Sequence, residues 1–98
     1  AVVENDDLSE DKIIKFLDAN EKKLKILYEE SIATNNLKTT TKFAEELFKI
    51  STAFEIEELN NFAKILLAKI ELFEIDAIGD MLKLYNSKIK RYKSQIKE

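Results

Sequence analysis

The chain contains no proline and a single glycine, Gly79, in 98 residues. Proline breaks helices and tight two-residue hairpins draw on glycine, so a chain nearly free of both has little means of building β-hairpins. A glycine-rich phosphate loop is excluded for the same reason. The expected fold is all-α, and the length suits one core and one domain. Apolar residues make up 45% of the chain and charged residues 36%, a balance that supports a packed interior rather than disorder.

The chain has no cysteine and no histidine. Disulfides, thiolate metal sites, a cysteine nucleophile, an imidazole base and a phosphohistidine are all excluded. Ser9, Ser31, Ser51, Ser87 and Ser94 have no histidine to activate them. Ser87 and Lys88 are adjacent, so on a helix they point about 100° apart and do not share a site. No enzyme activity and no cofactor are expected. Glu45, Glu46, Glu57, Glu58, Glu71, Glu74 and Asp76 supply carboxylates. Without histidine they lack the di-iron signature, and no calcium-loop spacing is present. They read as solvated helix faces, and no metal is expected.

Sixteen Lys and Arg against nineteen Asp and Glu give a net charge of -3, which argues against nucleic acid as a partner. The longest apolar run, Ile65–Ala68, has four residues, far short of the roughly 18 that span a membrane. Residues 1–7 lack the basic and apolar regions of a signal peptide, and a cytoplasmic setting is expected. The first residue is Ala1 rather than methionine, which suggests a domain of a longer protein.

Residues 1–7 read as a flexible lead-in, and residues 8–98 as one helical domain. Asp7-Leu8-Ser9-Glu10 has the spacing of a capping box. Ile13, Leu17, Leu24, Leu27 and Ser31 then fall on one face of a long helix, or of two helices bent near Asn20. Thr34-Asn35-Asn36 breaks the run, and Asn36 is expected to cap a helix that carries Leu37, Thr40, Ala44, Leu47, Ile50 and Phe54 on one face. Glu55 to Glu58 marks a junction before Leu59, Phe62, Ala63, Leu66 and Ile70. Phe73-Glu74-Ile75-Asp76 marks the next turn. Ile75, Ile78, Leu82, Tyr85, Ile89, Tyr92 and Ile96 then alternate steps of three and four, the seam of a helix packed along another. Gly79 inside that seam is expected to permit a close helix contact. The expected architecture is an antiparallel up-down-up-down four-helix bundle with an N-terminal helical extension. Its expected core holds Leu24, Leu27, Ala44, Leu47, Phe54, Leu59, Phe62, Leu66, Ile78, Leu82, Tyr85 and Ile89.

The stretch Ala44-Glu45-Glu46-Leu47-Phe48-Lys49-Ile50-Ser51-Thr52-Ala53-Phe54-Glu55-Ile56-Glu57-Glu58-Leu59 resembles the histidine-containing phosphotransfer (HPt) domain of two-component signalling. That family carries a pattern like A-H-x-L-K-G-x-x-x-x-(L/I)-G-A-x-x-L. Ala44, Leu47 and Leu59 match in register, and Phe54 keeps the apolar position before the turn. Looser matches at Leu37, Phe62, Ala63 and Leu66 extend the resemblance over about half of the chain. The phosphorylated histidine falls at Glu45, the neighbouring lysine at Phe48, the small glycine at Lys49 and the later Gly-Ala pair at Glu55-Ile56. The resemblance implies a degenerate, HPt-like fold without phosphate relay through histidine. It implies a docking module for a receiver or histidine kinase domain, with Glu45, Phe48, Lys49 and Thr52 as the binding face.

Each of these residues also has a plainer reading. Glu45 either imitates a phosphorylated histidine by its fixed charge or is a solvated helix residue. Phe48 either anchors a partner from an exposed position or tucks against the first helix, where burial is worth roughly 1.5–3 kcal/mol. Lys49 and Thr52 share the Glu45 face at steps of four and seven. Tyr85 and Tyr92 are expected to pack their rings and leave their hydroxyls at the rim. Lys88, Lys90, Arg91, Lys93 and Lys97 either meet an anionic surface or complement the helix dipole. The alternative to docking is a structural or oligomerising domain, with Ile14, Ile26, Ile65, Leu67 and Leu84 supplying a homodimer surface.

Overall fold

With so few helix breakers, the chain changes direction where polar side chains or left-handed residues can satisfy a helix end. A computed structural model describes residues 10–34 and 36–96, and these are helical apart from short connections. The helices are α1 (Glu10–Ala19), α2 (Lys25–Thr34), α3 (Leu37–Phe54), α4 (Glu57–Glu71) and α5 (Ile75–Gln95). A single wide π-turn, Asn20–Leu24, joins α1 to α2 without a break, so the described residues form four helical rods. Asp7, Leu8 and Ser9 of the capping box, with the lead-in, lie outside the described residues, which begin at Glu10.

Asn36 caps α3 as its residue type predicts: its side chain accepts the Lys38 amide at 2.8 Å. Thr40 then donates its hydroxyl to the Asn36 carbonyl at 3.1 Å. That uses its one hydroxyl hydrogen, so Ser31 of α2 is the donor in the buried Ser31–Thr40 hydroxyl pair. α3 and α4 both end on a residue in the left-handed region, Glu55 (φ 60°) and Phe73 (φ 56°).

The core joins all four rods. Phe43, Tyr85, Tyr28 and Phe62 form its aromatic centre, with Phe43 and Tyr85 edge to face at 4.9 Å between ring centres. Phe16 meets Tyr92 in a second edge-to-face pair at 6.0 Å. Of the expected core residues, Leu24, Ala44, Leu47, Leu59, Phe62, Leu66, Ile78, Leu82, Tyr85 and Ile89 are buried. Leu27 and Phe54 are only half-buried, while Phe16, Phe43, Ile56 and Tyr92 take central places. In α1 the physical reason is a small rotation of the helix. Phe16 and Leu17 are both apolar neighbours on a wide stripe, and packing against Tyr92 selects the larger ring. The expectation for Gly79 does not hold, because a Cβ there would meet nothing within 4 Å.

Candidate functional site

The end of α3 and the start of α4 form one wall-to-wall feature. Glu55 in the left-handed region lets the Ile56 amide reach back to the Ser51 carbonyl at 2.9 Å, which stops α3 and turns the chain into α4. Asn60, one turn into α4, donates from Nδ2 to Thr52 Oγ1 at 2.8 Å and ties the two helices together. Thr52 and Ser51 both donate their hydroxyls to the Phe48 carbonyl, at 2.8 and 3.1 Å. The turn thus leaves an open groove of about 450 Å³ lined by Phe48, Thr52, Ile56, Asn60 and Lys64, with Glu55 and Glu57 at its edge. Phe48 is half-buried: its ring packs partly on the core and partly faces the groove.

A second depression of about 470 Å³ lies further along the same two helices, between Thr41 and Glu45 of α3 and Leu67, Ala68 and Glu71 of α4. Lys64 lines both depressions. The structure therefore brings Glu45, Phe48 and Thr52 onto one α3–α4 face. Glu45 and Thr52 are exposed. Lys49 is exposed too, but it lines neither depression. Sequence reasoning missed Ile56, Asn60 and Lys64, which form the opposite wall. Nothing local marks Asn60, since its hydroxyl partner sits eight residues earlier on another helix.

The groove presents a mixed apolar and charged surface. The hydroxyls of Ser51 and Thr52, which also line it, are engaged with a backbone carbonyl and the Asn60 amide nitrogen is engaged with Thr52, so what remains open is an apolar surface, one ammonium and two carboxylates. Among the described residues no group of acidic side chains converges closely enough to hold a metal ion.

A polar cluster sits at the start of α4 on its other side. Glu58 accepts hydrogen bonds from Lys88 Nζ, from Arg91 Nη2 at 2.8 and 3.0 Å, and from Tyr92 Oη at 3.0 Å. Partial burial pushes the Glu58 carboxyl up, but the hydrogen bonds from Lys88, Arg91 and Tyr92 outweigh it and hold it below the usual carboxylate range. Two of the basic residues of α5 thus clamp the bundle. Lys93 pairs loosely with Glu21 at 3.9 Å, and Lys97 lies outside the described residues. Tyr85 also departs from expectation. Its hydroxyl is buried and donates to Asn20 Oδ1 inside the π-turn, and burial pushes it far above the ordinary tyrosine range. An asparagine on the buried face of the first rod needs such a partner, and Tyr85 supplies it.

In comparisons with known protein families, curated proteins and solved structures, no match to the chain was found. No helix of the described residues is long and apolar enough to cross a membrane.

Proposed function

We propose that the chain is a non-catalytic, HPt-like signalling module that docks or positions a receiver or histidine kinase domain of a two-component system in the cytoplasm. In this reading its helices run antiparallel, up-down-up-down, and the face of Glu45, Phe48, Lys49 and Thr52 meets the partner. The observation that carries it is Phe48, a large ring left half-buried at the lip of an open groove, with Glu45 exposed one turn away. Glu45 stands where the resembled family has its histidine, so phosphate relay through histidine is impossible and binding is the function left to the face. Such interfaces are modest in area and transient.

The test is an amide NMR titration with a receiver domain from the same signalling system. Shifts should concentrate at Glu45, Phe48, Lys49 and Thr52 and extend to Asn60 and Lys64 across the groove. Phe48→Ala should weaken binding roughly tenfold or more, as loss of an aromatic anchor does. Absence of shifts at high receiver concentration would sink the reading.

A second reading, a structural or oligomerising domain, is favoured by Ile14, Ile26, Ile65 and Leu84, which stay about half exposed. Leu67 does not belong with them, being packed partly on the core. A solution mass measured across concentrations separates the two readings.

A further inference from the structure

The outward side of α4, continued by its C-cap residue Leu72, carries an exposed stripe of one asparagine and three apolar residues. Asn61, Ile65, Ala68 and Leu72 follow at steps of four, three and four, and all four are exposed. This is the spacing of a helix that packs along another helix, on the side opposite the buried Leu59, Phe62, Ala63, Leu66 and Ile70. Ala68 at the middle lets a facing backbone come close. Lys64 and Glu71 flank the stripe on one edge, seven residues apart, and among the described residues neither forms an ion pair. Lys69, on the other edge, is already paired with Glu74 of its own chain at 3.2 Å.

We infer that α4 is a homodimer surface on which two copies pair about a two-fold axis, their α4 helices side by side in opposite directions. In that register Ile65 of each copy lies over Ala68 of the other, and Leu72 over Asn61. Lys64 of each copy then stands beside Glu71 of the other, and the two-fold makes this contact twice. Lys64 and Glu71, unpaired among the described residues, are thus self-complementary. The stripe does not stop at the helix end. Phe73 follows Leu72 and is held in the left-handed region, an uncommon place for a large side chain, and the residue is 71% exposed. The same register carries Phe73 to the level of Asn60 in the second copy, the rim of the groove lined by Phe48 and Ile56. A projecting ring at one end of α4 and an apolar groove at the other are the two halves of one contact, repeated by the two-fold and closed at two subunits. The surface is small, about four helical turns, so the pair belongs to the weak end of specific interfaces.

Sedimentation equilibrium on the whole chain tests the pairing. The mass should rise with concentration from 11.4 kDa toward twice that value and stop there. Leu72→Lys, on an exposed site, should return the chain to a monomer with an unchanged circular dichroism spectrum. Lys64→Glu, which places like charges together at both symmetric contacts, should weaken the dimer about fivefold. Adding Glu71→Lys to it should restore the pairing. A monomer at every concentration up to on the order of 1 mM, an assembly that grows past two, or a dimer indifferent to Leu72→Lys and to the charge reversal overturns the inference. This pairing does not rest on receiver docking: a monomer that binds a receiver keeps the docking reading and removes this one, and a dimer that ignores receivers does the reverse.

Discussion

α3 ends at Glu55 and α4 ends at Phe73 by the same backbone device. In each, one residue takes the left-handed conformation, and the next amide reaches back five residues, Ile56 to Ser51 at 2.9 Å and Glu74 to Lys69 at 3.0 Å. The side chains fare differently. Ile56 is 1% exposed, whereas Leu72, Phe73 and Ile75 are 64, 71 and 58% exposed. At the first turn other elements converge: Lys12 of α1 donates to the Glu55 carbonyl at 3.2 Å, and Glu58 draws in Lys88, Arg91 and Tyr92 of α5. At the second turn the apolar side chains stand in water. Turn geometry is a local property, and burial depends on what crosses above the turn. An exposed apolar turn of this kind is where a partner surface is to be sought.

The comparison breaks most clearly at Ile56. Ile56→Ala should cost about 2–4 kcal/mol by leaving a cavity, while Leu72→Ala should change stability by less than about 0.5 kcal/mol, both read from urea unfolding at low concentration. Similar losses at the two sites would mean that the second turn is covered within the monomer.

Glu58 gives the next largest effect. Glu58→Gln should cost about 1 kcal/mol at neutral pH, a value discounted for the exposure of its partners. Its folded carboxyl sits below the ordinary value of 4.5, so its contribution is complete above that pH and is lost as pH falls through the lowered folded value. The parent chain should therefore lose more stability than Glu58→Gln across that acid window. Parallel pH profiles would remove Glu58 from the clamp.

Phe73→Gly should raise the stability of the monomer by about 1 kcal/mol, since glycine takes the left-handed region without steric cost and little packing is lost. The same variant should weaken the dimer, so a gain in one measurement and a loss in the other sharpens the contrast. Smallest of all, Gly79→Ala should stabilise α5 by about 0.8 kcal/mol, because the added methyl meets nothing. A loss there would reveal a neighbour at that face.

Part of the candidate site was readable in one dimension. Steps of three, four and seven from Glu45 put Phe48, Lys49 and Thr52 on one side of α3, and three of the four residues now line a common face. Its other wall was not readable. Ile56, Asn60 and Lys64 arrive from α4, and no spacing within α3 announces them. The Glu58 clamp was hidden for the same reason, as its partners lie 30 to 34 residues away.

Legible in one dimension were the helical class, the Asn36 cap, a junction from Glu55, although Glu57 and Glu58 already belong to α4, the turn at Phe73, and the seam of α5 from Ile78 to Tyr92, though Ile75 at its expected start is exposed. These follow from propensity, capping and periodicity, which act within a few residues. Tertiary structure alone decided the rest: Phe16 rather than Leu17 inside, Phe43 at the aromatic centre, the π-turn that carries Asn20 to the Tyr85 hydroxyl, and the groove under Phe48. A helix with a wide apolar stripe can rotate by a fraction of a turn at little local cost. Only the shapes and hydrogen-bonding groups of the helices packed against it choose the angle.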